Sequence, residues 1–430
     1  MGKKVSVFSI IIFLLLAAAG AGAIFYVMVP ANIPQELPVV SFCGENSYPT
    51  SGQWHTELVS HYLIKNTSVE SQEAFNLGKI AVKKPRLDIP EYADGCTVEL
   101  VKPFDTVSTG VFEGSVEDFN NFEFTENGDY VVNVNMHLDK DEERDAADLA
   151  YMFMFTLDVQ PCVEFSSDRA SQGDILSVYV DMGFEKTAPE LVSALGSGSF
   201  MDMGDNTYEA YIPVNYDQHV DAYNITVKAG SIEETCRLVI IDKDFDEQHM
   251  TISSETVAET TGTDANQDYA DKIKPLWSEA GDDEKYWTKP FIQPVEGRIS
   301  TQYGLFRYTN GSTTATRHKG IDIAAAEGTE VPASNSGRVV FADNVIITGN
   351  TVVIEHGGGL RTYYFHLSEI DCKAGDMVEQ GDLIGKVGTT GYSTGPHLHF
   401  QVMIGSACLS PWELFDGSSD IYKEYKTEEN

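Results

Sequence analysis

Lysine and arginine are scarce in this chain of 430 residues. Only 29 basic residues stand against 66 acidic ones, which gives a formal net charge of −37 at pH 7. Such a surface argues against nucleic acid and anionic lipid as partners, because it repels polyanions. Most of the acidic excess lies before residue 297, so it does not exclude an uncharged or mixed peptide as a ligand of the C-terminal third. Solubility is the simplest role for this charge.

Closely spaced cysteine pairs of the metal-ligand type are absent from the sequence. The six cysteines lie far apart along the chain, and in an exported protein they are candidates for disulfides. Pairing each cysteine with the next one along the chain is the simplest arrangement. The predicted disulfides are Cys43–Cys96, Cys162–Cys236 and Cys372–Cys408.

Long uncharged stretches are also rare, and one stands near the N-terminus. Residues 5–29 carry no charge and follow Lys3 and Lys4. A membrane-spanning helix needs about 20 apolar residues, and lysines before it favour a cytoplasmic N-terminus. Residues 1–30 therefore predict a single-pass membrane anchor with the bulk of the chain outside the cytoplasm. The alternative is a signal peptide cleaved near residues 19–23 and a secreted protein.

Candidate metal ligands are concentrated in the last third of the chain. They are His318, Asp322, His366, His397 and His399. A catalytic zinc ion needs three ligands, such as neutral imidazole or carboxylate, and one open position. His318, Asp322 and one histidine of the pair His397 and His399 meet that need. The remaining histidines would then be left to transfer protons.

Local chain geometry decides whether these side chains can converge. Residues two apart in a strand point to the same face, so His397 and His399 can share one pocket. Leu398 and Phe400 alternate with them, as expected of a strand with one buried face. His318 and Asp322 are too far apart along a straight strand, so a bend near Gly320 is expected, because glycine bends at low steric cost.

Seven short stretches of the sequence stand in the order found in a known family. They are PVEGRISTQYG (294–304), RHKGIDIA (317–324), GTEVP (328–332), GNTVVIEHG (349–357), YFHLS (364–368), GDMV (375–378) and GPHLH (395–399). Through them, residues 291–415 resemble the zinc metallopeptidases of the lysostaphin/LytM type, peptidase family M23, which cut peptides of the bacterial cell wall.

The resemblance implies a role for each candidate residue. His318, Asp322 and His399 would bind one Zn²⁺ per chain, and His366 and His397 would be catalytic histidines that do not bind the metal. The implied substrate is the peptide part of peptidoglycan, cut in a stem peptide or in a cross-bridge. The resemblance therefore predicts a zinc metalloendopeptidase.

A few residues depart from the family pattern or stay unassigned. The family often has Phe-Gly followed one residue later by Arg, whereas Arg307 is displaced by one position, which leaves its role open. His356 stands where the family commonly has a histidine, but it is expected to be a surface or capping residue at a strand end. The same expectation applies to the histidines outside the matching motifs, which are His55, His61, His137, His219 and His249.

Two other classes of function remain open at this point. A catalytically silent module with the same fold would bind the cell wall or regulate other proteins, and zinc content and turnover would separate it from an enzyme. A phosphocarrier-like β domain is the third class, because the repeat GDMV and GDLI at 375–384 also occurs in swivelling and phosphotransfer domains. The Asp322 ligand and the expected export both disfavour that class.

The rest of the chain predicts a mostly β protein. Apolar residues alternate with polar ones over residues 130–138 and 151–159, which is the pattern of half-buried strands. The turn before Tyr130 resembles the corner of immunoglobulin-like sandwiches. Short strand-like runs between glycine turns predict an antiparallel β peptidase domain at 291–417. The other predicted parts are an unassigned region at 31–84, immunoglobulin-like β-sandwiches at 85–160 and 161–243, an acidic linker with a short helix interrupted at Pro275 at 244–290, and a loose polar tail at 418–430.

Overall fold

The protein is described by a computed structural model that places residues 7–59, 62–69, 72–103, 110–252 and 262–425. Several predictions concern residues outside these ranges. They are Lys3, Lys4, His61, part of the acidic linker at 253–261 and the last five residues of the tail. Within the described ranges strands predominate, so the prediction of a mostly β protein is confirmed. The chain forms two compact units that meet between Gln160 and Pro161.

Helices are few in the described ranges. They are α1 (Val7–Met28), α2 (Val116–Asn120), α3 (Thr263–Lys272) and α4 (Trp412–Asp416), together with 3₁₀ turns at Lys274–Trp277 and Asp420–Tyr422. No helix among the described residues meets the length and apolarity required of a membrane span. The predicted membrane anchor is therefore not confirmed.

The first unit consists of ten strands and α2. The strands are β1 (Val40–Phe42), β2 (Glu45–Ser47), β3 (Ser51–Val59), β4 (Leu63–Ser68), β5 (Phe75–Ile80), β6 (Leu87–Asp88), β7 (Gly95–Val101), β8 (Phe112–Gly114), β9 (Gly128–Leu138) and β10 (Ala146–Leu157). A seven-stranded sheet has the order β4-β3-β10-β9-β7-β8, with β5 parallel to β10, and a small sheet has the order β2-β1-β6. The unassigned region 31–84 thus shares a sheet with residues 85–160, and an immunoglobulin-like sandwich at 85–160 is not confirmed.

The alternating residues of β9 and β10 lie where their pattern predicts. Tyr130, Val132 and Val134 are buried on β9, as are Tyr151 and Phe153 on β10. The residues between them are more exposed, which confirms the half-buried strands. The Tyr130 hydroxyl also donates a hydrogen bond over 3.0 Å to a carbonyl oxygen four residues upstream, the contact made in a tyrosine corner.

Residues 161–243 open the second unit with eight strands. They are β11 (Cys162–Phe165), β12 (Arg169–Ser171), β13 (Ile175–Asp181), β14 (Glu190–Ser193), β15 (Met201–Gly204), β16 (Thr207–Pro213), β17 (Ala222–Ala229) and β18 (Ile232–Ile241). Two four-stranded sheets, β11-β13-β16-β15 and β12-β18-β17-β14, share one apolar core that includes Val178, Ile212 and Val227. This part is a β-sandwich, and its immunoglobulin-like topology is not confirmed.

The C-terminal domain contains the remaining strands. They are β19 (Glu247–Met250), β20 (Arg298–Thr301), β21 (Phe306–Thr309), β22 (Thr316–Arg317), β23 (Ile321–Ala324), β24 (Glu330–Pro332), β25 (Gly337–Val345), β26 (Gly349–Glu355), β27 (Leu360–Leu367), β28 (Glu369–Ile370), β29 (Met377–Val378), β30 (Leu383–Lys386), β31 (His397–Ile404) and β32 (Ala407–Leu409). The main sheet has the order β20-β23-β31-β27-β26-β25-β29, with β32 on β31. All of its pairings are antiparallel, as predicted.

The linker and the tail pack against their neighbours in the second unit. The predicted linker helix is present as α3, which ends at Lys272, and Pro275 lies in the 3₁₀ turn that follows. Leu276 of that turn is buried in the core of the C-terminal domain. In the tail, the Asp420 carbonyl accepts a hydrogen bond of 2.9 Å from the Ser177 hydroxyl, and Tyr425 stacks on Tyr179 with ring centroids 5.0 Å apart. A loose tail is therefore wrong for residues 418–425, because its aromatic and apolar side chains find partners.

No disulfide joins the six cysteines, all of which lie in the described ranges. The three predicted pairs, Cys43–Cys96, Cys162–Cys236 and Cys372–Cys408, are therefore wrong. Cys162 and Cys236 lie on strands of different sheets, whereas Cys43 and Cys372 lie outside the strands. Cys372, for example, directs its thiol to the Ile384 carbonyl, whereas Cys408 accepts a hydrogen bond from Gln401.

We predict that Gly281→Ala destabilises the second unit. A Cβ added at Gly281 would collide with the backbone of Gly358 and Gly359, and overpacking of this kind costs about 2 kcal/mol. The matched control is Gly110→Ala, where an added Cβ meets no atom within 4 Å. Urea-induced unfolding of both variants measures the difference. Equal unfolding midpoints for the two would contradict the close approach.

Candidate metal centre and cleft

Three neighbouring strands of the main sheet bring the candidate residues together. Asp322 on β23 lies directly opposite His399 on β31, and Phe365 on β27 lies opposite His399 from the other side. His397 lies two positions before His399 on β31, so both side chains are on the same face of the sheet. His318 lies in the loop between β22 and β23. Residues 81 positions apart in sequence thus meet at one point.

The three predicted metal ligands converge closely. Nε2 of His318 lies 3.0 Å from Oδ1 of Asp322 and 3.0 Å from Nδ1 of His399. The remaining distance, from Nδ1 of His399 to Oδ1 of Asp322, is 2.8 Å. The three residues are only 3%, 6% and 8% exposed, respectively. These are the ligands that the family resemblance implies.

Hydrogen bonds on the outer side of each ring determine which nitrogen faces inward. Nδ1 of His318 lies 2.9 Å from the Gln302 carbonyl oxygen, and Nε2 of His399 lies 3.3 Å from Oε1 of Gln401. Both oxygens can only accept, so both ring hydrogens lie on the outside. The inward nitrogens therefore present lone pairs to each other and to the Asp322 carboxylate.

This donor set fits a zinc ion. Three electron-rich atoms facing one another repel unless a cation lies between them. Two imidazole nitrogens and one carboxylate oxygen form a common ligand set for catalytic zinc. Zinc–nitrogen bonds of about 2.0 Å separate tetrahedral ligands by about 3.3 Å, so the side chains need to move apart by only a few tenths of an ångström.

The protonation states suit metal binding as well. Burial lowers the pKa of His318 to about 4, because the imidazolium form loses its hydration. Burial alone would raise the pKa of Asp322, but a proton on the inward nitrogen of His318 or His399, in place of a metal ion, lowers it well below its usual value. A neutral imidazole and an ionised carboxylate are the forms that donate electron pairs to a metal.

Arg307, which the sequence left open, contacts the site directly. Its Nη2 donates to Oδ2 of Asp322, while Oδ1 faces the two histidines. Arg307 therefore orients the carboxylate. The one-residue displacement from the family pattern hid this contact, because a side chain on β21 cannot be placed from sequence spacing alone.

Gly320 is required for a reason other than the one predicted. It lacks a left-handed φ, but an added Cβ would collide with the Phe400 carbonyl oxygen on β31. The loop from His318 into β23 thus runs against the neighbouring strand. Space, rather than conformational freedom, makes glycine necessary between these two ligands.

A β-bulge turns His366 toward the site. Thr351 on β26 stands opposite two residues of β27, Phe365 and His366, and His366 adopts a φ of 63°. In a regular strand consecutive side chains face opposite sides, but here both line the cleft. Bulges often aim side chains in this way next to active sites. Phe365 also stacks on His399 with ring centroids 5.2 Å apart.

The two predicted catalytic histidines lie side by side, with ring centroids 4.8 Å apart. Nδ1 of His366 donates to the Thr390 carbonyl and Nδ1 of His397 to the Gly395 carbonyl, each over 2.8 Å. In the neutral form of each ring the proton therefore lies on Nδ1, and Nε2 is free to accept one. Burial, reinforced by the neighbouring His397 and His399, lowers the pKa of His366 to about 3. Nε2 of His397 lies 3.7 Å from Oδ1 of Asp322, so the pair borders the metal ligands.

A cleft of about 640 Å³ opens over these residues. Five of its lining residues come from the linker, in which the sequence indicated no functional role. They are Gln248, Met250, Ile252, Asn266 and Tyr269. The linker is held there by β19, which pairs in parallel with β21, and by α3, whose Asp268 accepts a hydrogen bond of 2.8 Å from the Ile346 backbone.

His356 belongs to the core rather than to the surface, which corrects the prediction. It is fully buried, and its two ring nitrogens lie 2.8 Å from the Ser336 carbonyl and 2.8 Å from the Thr362 hydroxyl. Its ring also contacts Phe291 edge-on. His356 therefore joins strands of the main sheet and takes no part in the metal centre.

Comparison with known proteins gives matches over the C-terminal domain. The family model described as peptidase family M23 matches residues 316–411. An uncharacterized metalloprotease of Buchnera aphidicola subsp. Baizongia pistaciae is 36% identical over 137 residues, which is 32% of this chain and 36% of that protein. Peptidoglycan DD-endopeptidase ShyA of Vibrio cholerae is 41% identical over 113 residues, 26% of each chain. The chain thus spans about a third or less of these curated relatives.

A solved structure matches over the same part of the chain. The catalytic domain of the antimicrobial peptidase lysostaphin from Staphylococcus simulans is 37% identical, and the match covers 27% of this chain and 90% of that one, with a TM-score of 0.25. The range matched by the family model contains all five predicted site residues. The match to the family model identifies residues 316–411 as a domain of peptidase family M23.

Proposed function

We propose that this protein is a zinc-dependent endopeptidase that hydrolyses peptide bonds of bacterial peptidoglycan. One observation carries the proposal: His318, Asp322 and His399 present three lone-pair atoms to one point in an open cleft. His366 and His397 border that point, and each ring donates through Nδ1 to a backbone carbonyl, which leaves Nε2 to exchange protons. The substrate class is supported by the names of similar proteins, a peptidoglycan DD-endopeptidase and lysostaphin.

The residues of the site divide the chemistry among them. Zinc held by the three ligands would polarise the scissile carbonyl and lower the pKa of water toward about 7. His366 and His397 offer Nε2 atoms that accept a proton from the attacking water and return one to the leaving amine. The Thr390 and Gly395 carbonyls hold the opposite ring nitrogens, so both rings keep their orientation throughout.

The cleft can bind an extended peptide. Both polar and apolar side chains line it, among them Asn266, Tyr269 and Tyr392. Binding a chain across the metal ligands would place one carbonyl next to the zinc position and its leaving nitrogen next to the histidine pair. Endopeptidase activity needs such a cleft, open at both ends of the bond that is cut.

We further propose that the enzyme is tethered to the outer face of the cytoplasmic membrane through residues 1–30. The uncharged run 5–29 after Lys3 and Lys4 supports this location, since the lysines favour a cytoplasmic N-terminus. The polymer proposed as substrate also lies outside the membrane. Secretion after signal cleavage is the alternative.

Replacing a metal ligand should remove zinc and activity together. For Asp322→Ala and His399→Ala we expect the zinc content of the full-length chain to fall from about one per chain to near zero, because two ligands bind zinc poorly. His219→Ala, an exposed histidine of the sandwich, is the matched control and should keep both. Elemental analysis gives the zinc content, and release of new amino groups from purified peptidoglycan, with and without a chelator, gives the activity. Zinc retained by both variants would refute the ligand assignment.

Replacing His397 should separate the two properties. We expect His397→Ala to retain zinc and to lose activity by about 10²- to 10⁴-fold, the usual contribution of a general acid or base. The same two assays measure both quantities. A metal-free His397→Ala protein would show that the roles within the pair are reversed. A wild-type protein that holds zinc and releases no amino groups from any peptidoglycan type would instead be the silent binding module.

The proposed tether predicts how the protein partitions in cells. The full-length chain should sediment with membranes and resist extraction by carbonate at high pH, because an apolar helix stays in the bilayer. A variant without residues 1–30 provides the control and should be soluble. Recovery of the wild-type protein from the medium at a lower mass would favour signal cleavage and argue against the tether.

A further inference from the structure

Arg317, the residue before the metal ligand His318, is enclosed by three aromatic rings. Its guanidinium carbon lies 4.0 Å from the ring centroid of Phe306, 4.4 Å from that of Phe245 and 4.9 Å from that of Tyr216. The three rings come from three different parts of the second unit: β21, the linker and a loop of the β-sandwich. We call Tyr216, Phe245 and Phe306 the aromatic cage.

Arg317 is half-buried, and the cage surrounds its guanidinium where a carboxylate would often lie. Arg317 makes one hydrogen bond, of 2.6 Å, from Nε to the Gly304 carbonyl oxygen, and its buried Nη2 has no hydrogen-bond partner among the described residues. Ring faces attract cations by about 0.5–2 kcal/mol each. Arg317 therefore depends on the cage for its position.

The same contacts continue to the backbone of His318. Gly304, which accepts from Arg317, donates its own N–H to the His318 carbonyl over 2.8 Å. The His318 N–H in turn donates to the Leu305 carbonyl over 2.9 Å. Gly304 has a φ of 74°, and the Phe245 ring occupies the place of the missing side chain. Phe245 thus packs against both the guanidinium and the turn that holds the metal ligand.

Contacts around Tyr216 fix the sandwich side of the cage. The neighbouring Asn215 side chain accepts a hydrogen bond of 2.9 Å from the Cys408 backbone. Tyr303 packs edge-on against Tyr216, with ring centroids 6.3 Å apart, and its hydroxyl donates to the Cys408 carbonyl over 2.7 Å. Contacts with the C-terminal domain therefore help to fix the position of Tyr216 and of the loop that carries it.

We propose that Tyr216 and Phe245, acting through Arg317, are positioning residues for the metal ligand His318. The sandwich and the linker are then parts of the metal centre, although both lie outside the residues matched by the family model. This inference rests on the proposed zinc site. Loss of an outer partner of a metal ligand commonly weakens metal affinity about 10- to 100-fold, and we expect an effect in that range.

The test measures how substitutions at Tyr216, Phe245 and Arg317 of the full-length chain change zinc binding. Tyr216→Leu, Phe245→Leu and Arg317→Met should each weaken zinc affinity about 10-fold or more and change the absorption spectrum of the Co²⁺-substituted protein. Tyr208→Leu, in the same sandwich and packed on its core, is the matched control and should change neither. Arg317→Lys keeps a cation between the rings and should recover part of the affinity. Chelator competition measures the zinc affinity.

The outcomes are distinguishable from failure of the proposed function. If Tyr216→Leu and Phe245→Leu, shown to be folded by near-ultraviolet circular dichroism, bind zinc as tightly as Tyr208→Leu with the same Co²⁺ spectrum, the positioning role is refuted. Should Phe245→Leu fail to fold, Tyr216→Leu decides, because it alters a half-buried loop residue. A wild-type chain that binds no zinc would instead refute the proposed function itself.

Discussion

The register between β23 and β31 is the constraint on which the site depends. Asp322 and His399 share a metal position only because they stand directly opposite each other across these two strands. A slip of one residue would turn one of the two side chains to the other face of the sheet. The buried neighbours Ile323 and Leu398 prevent such a slip, since it would bring apolar side chains out of the core. Packing on one face of the sheet therefore holds the ligands on the other.

A second set of contacts fixes the far end of the same sheet. The hairpin between β26 and β27 ends in three consecutive glycines, which let the sandwich and the linker approach its backbone closely. The Ser199 N–H donates to the Gly358 carbonyl over 3.0 Å, and the Gly358 N–H donates to the Asp282 carbonyl over 2.8 Å. Beneath them Glu355 and Arg361 form a buried ion pair, a costly arrangement unless both partners stay in place. Strand β27 runs from this junction to His366.

Much of the site could be predicted from sequence, for physical reasons specific to each residue. His397 and His399 are two apart on one strand, so a local period places them on one face. His318 and Asp322 lie in one short segment. His366 lies 31 positions before His397, so its association with the other residues was predicted from family resemblance rather than from a local pattern. Its ring centroid lies 4.8 Å from that of His397. The half-buried strands β9 and β10 could likewise be predicted from a local alternation of residues.

The failures share a different cause, which is contact between distant segments. The predicted cysteine pairs followed sequence order, but the fold leaves all six cysteines free. The tail is polar in composition, yet its Tyr425 stacks on Tyr179 of the β-sandwich. The requirement for glycine at position 320 depends on the nearby Phe400 carbonyl, and the contact of Arg307 with Asp322 depends on the path of β21. None of these contacts produces a periodic pattern or a characteristic spacing of residues in the sequence.

The aromatic cage has a consequence for how this protein can be cut and recombined. A boundary drawn from sequence similarity, near residue 290, would carry every metal ligand and catalytic histidine into a transplanted fragment. It would leave behind Tyr216 and Phe245, two of the three rings around Arg317, and the linker side chains that line the cleft. The portable piece of this chain begins at Pro161, where the second compact unit begins, and its boundary follows packing rather than sequence similarity.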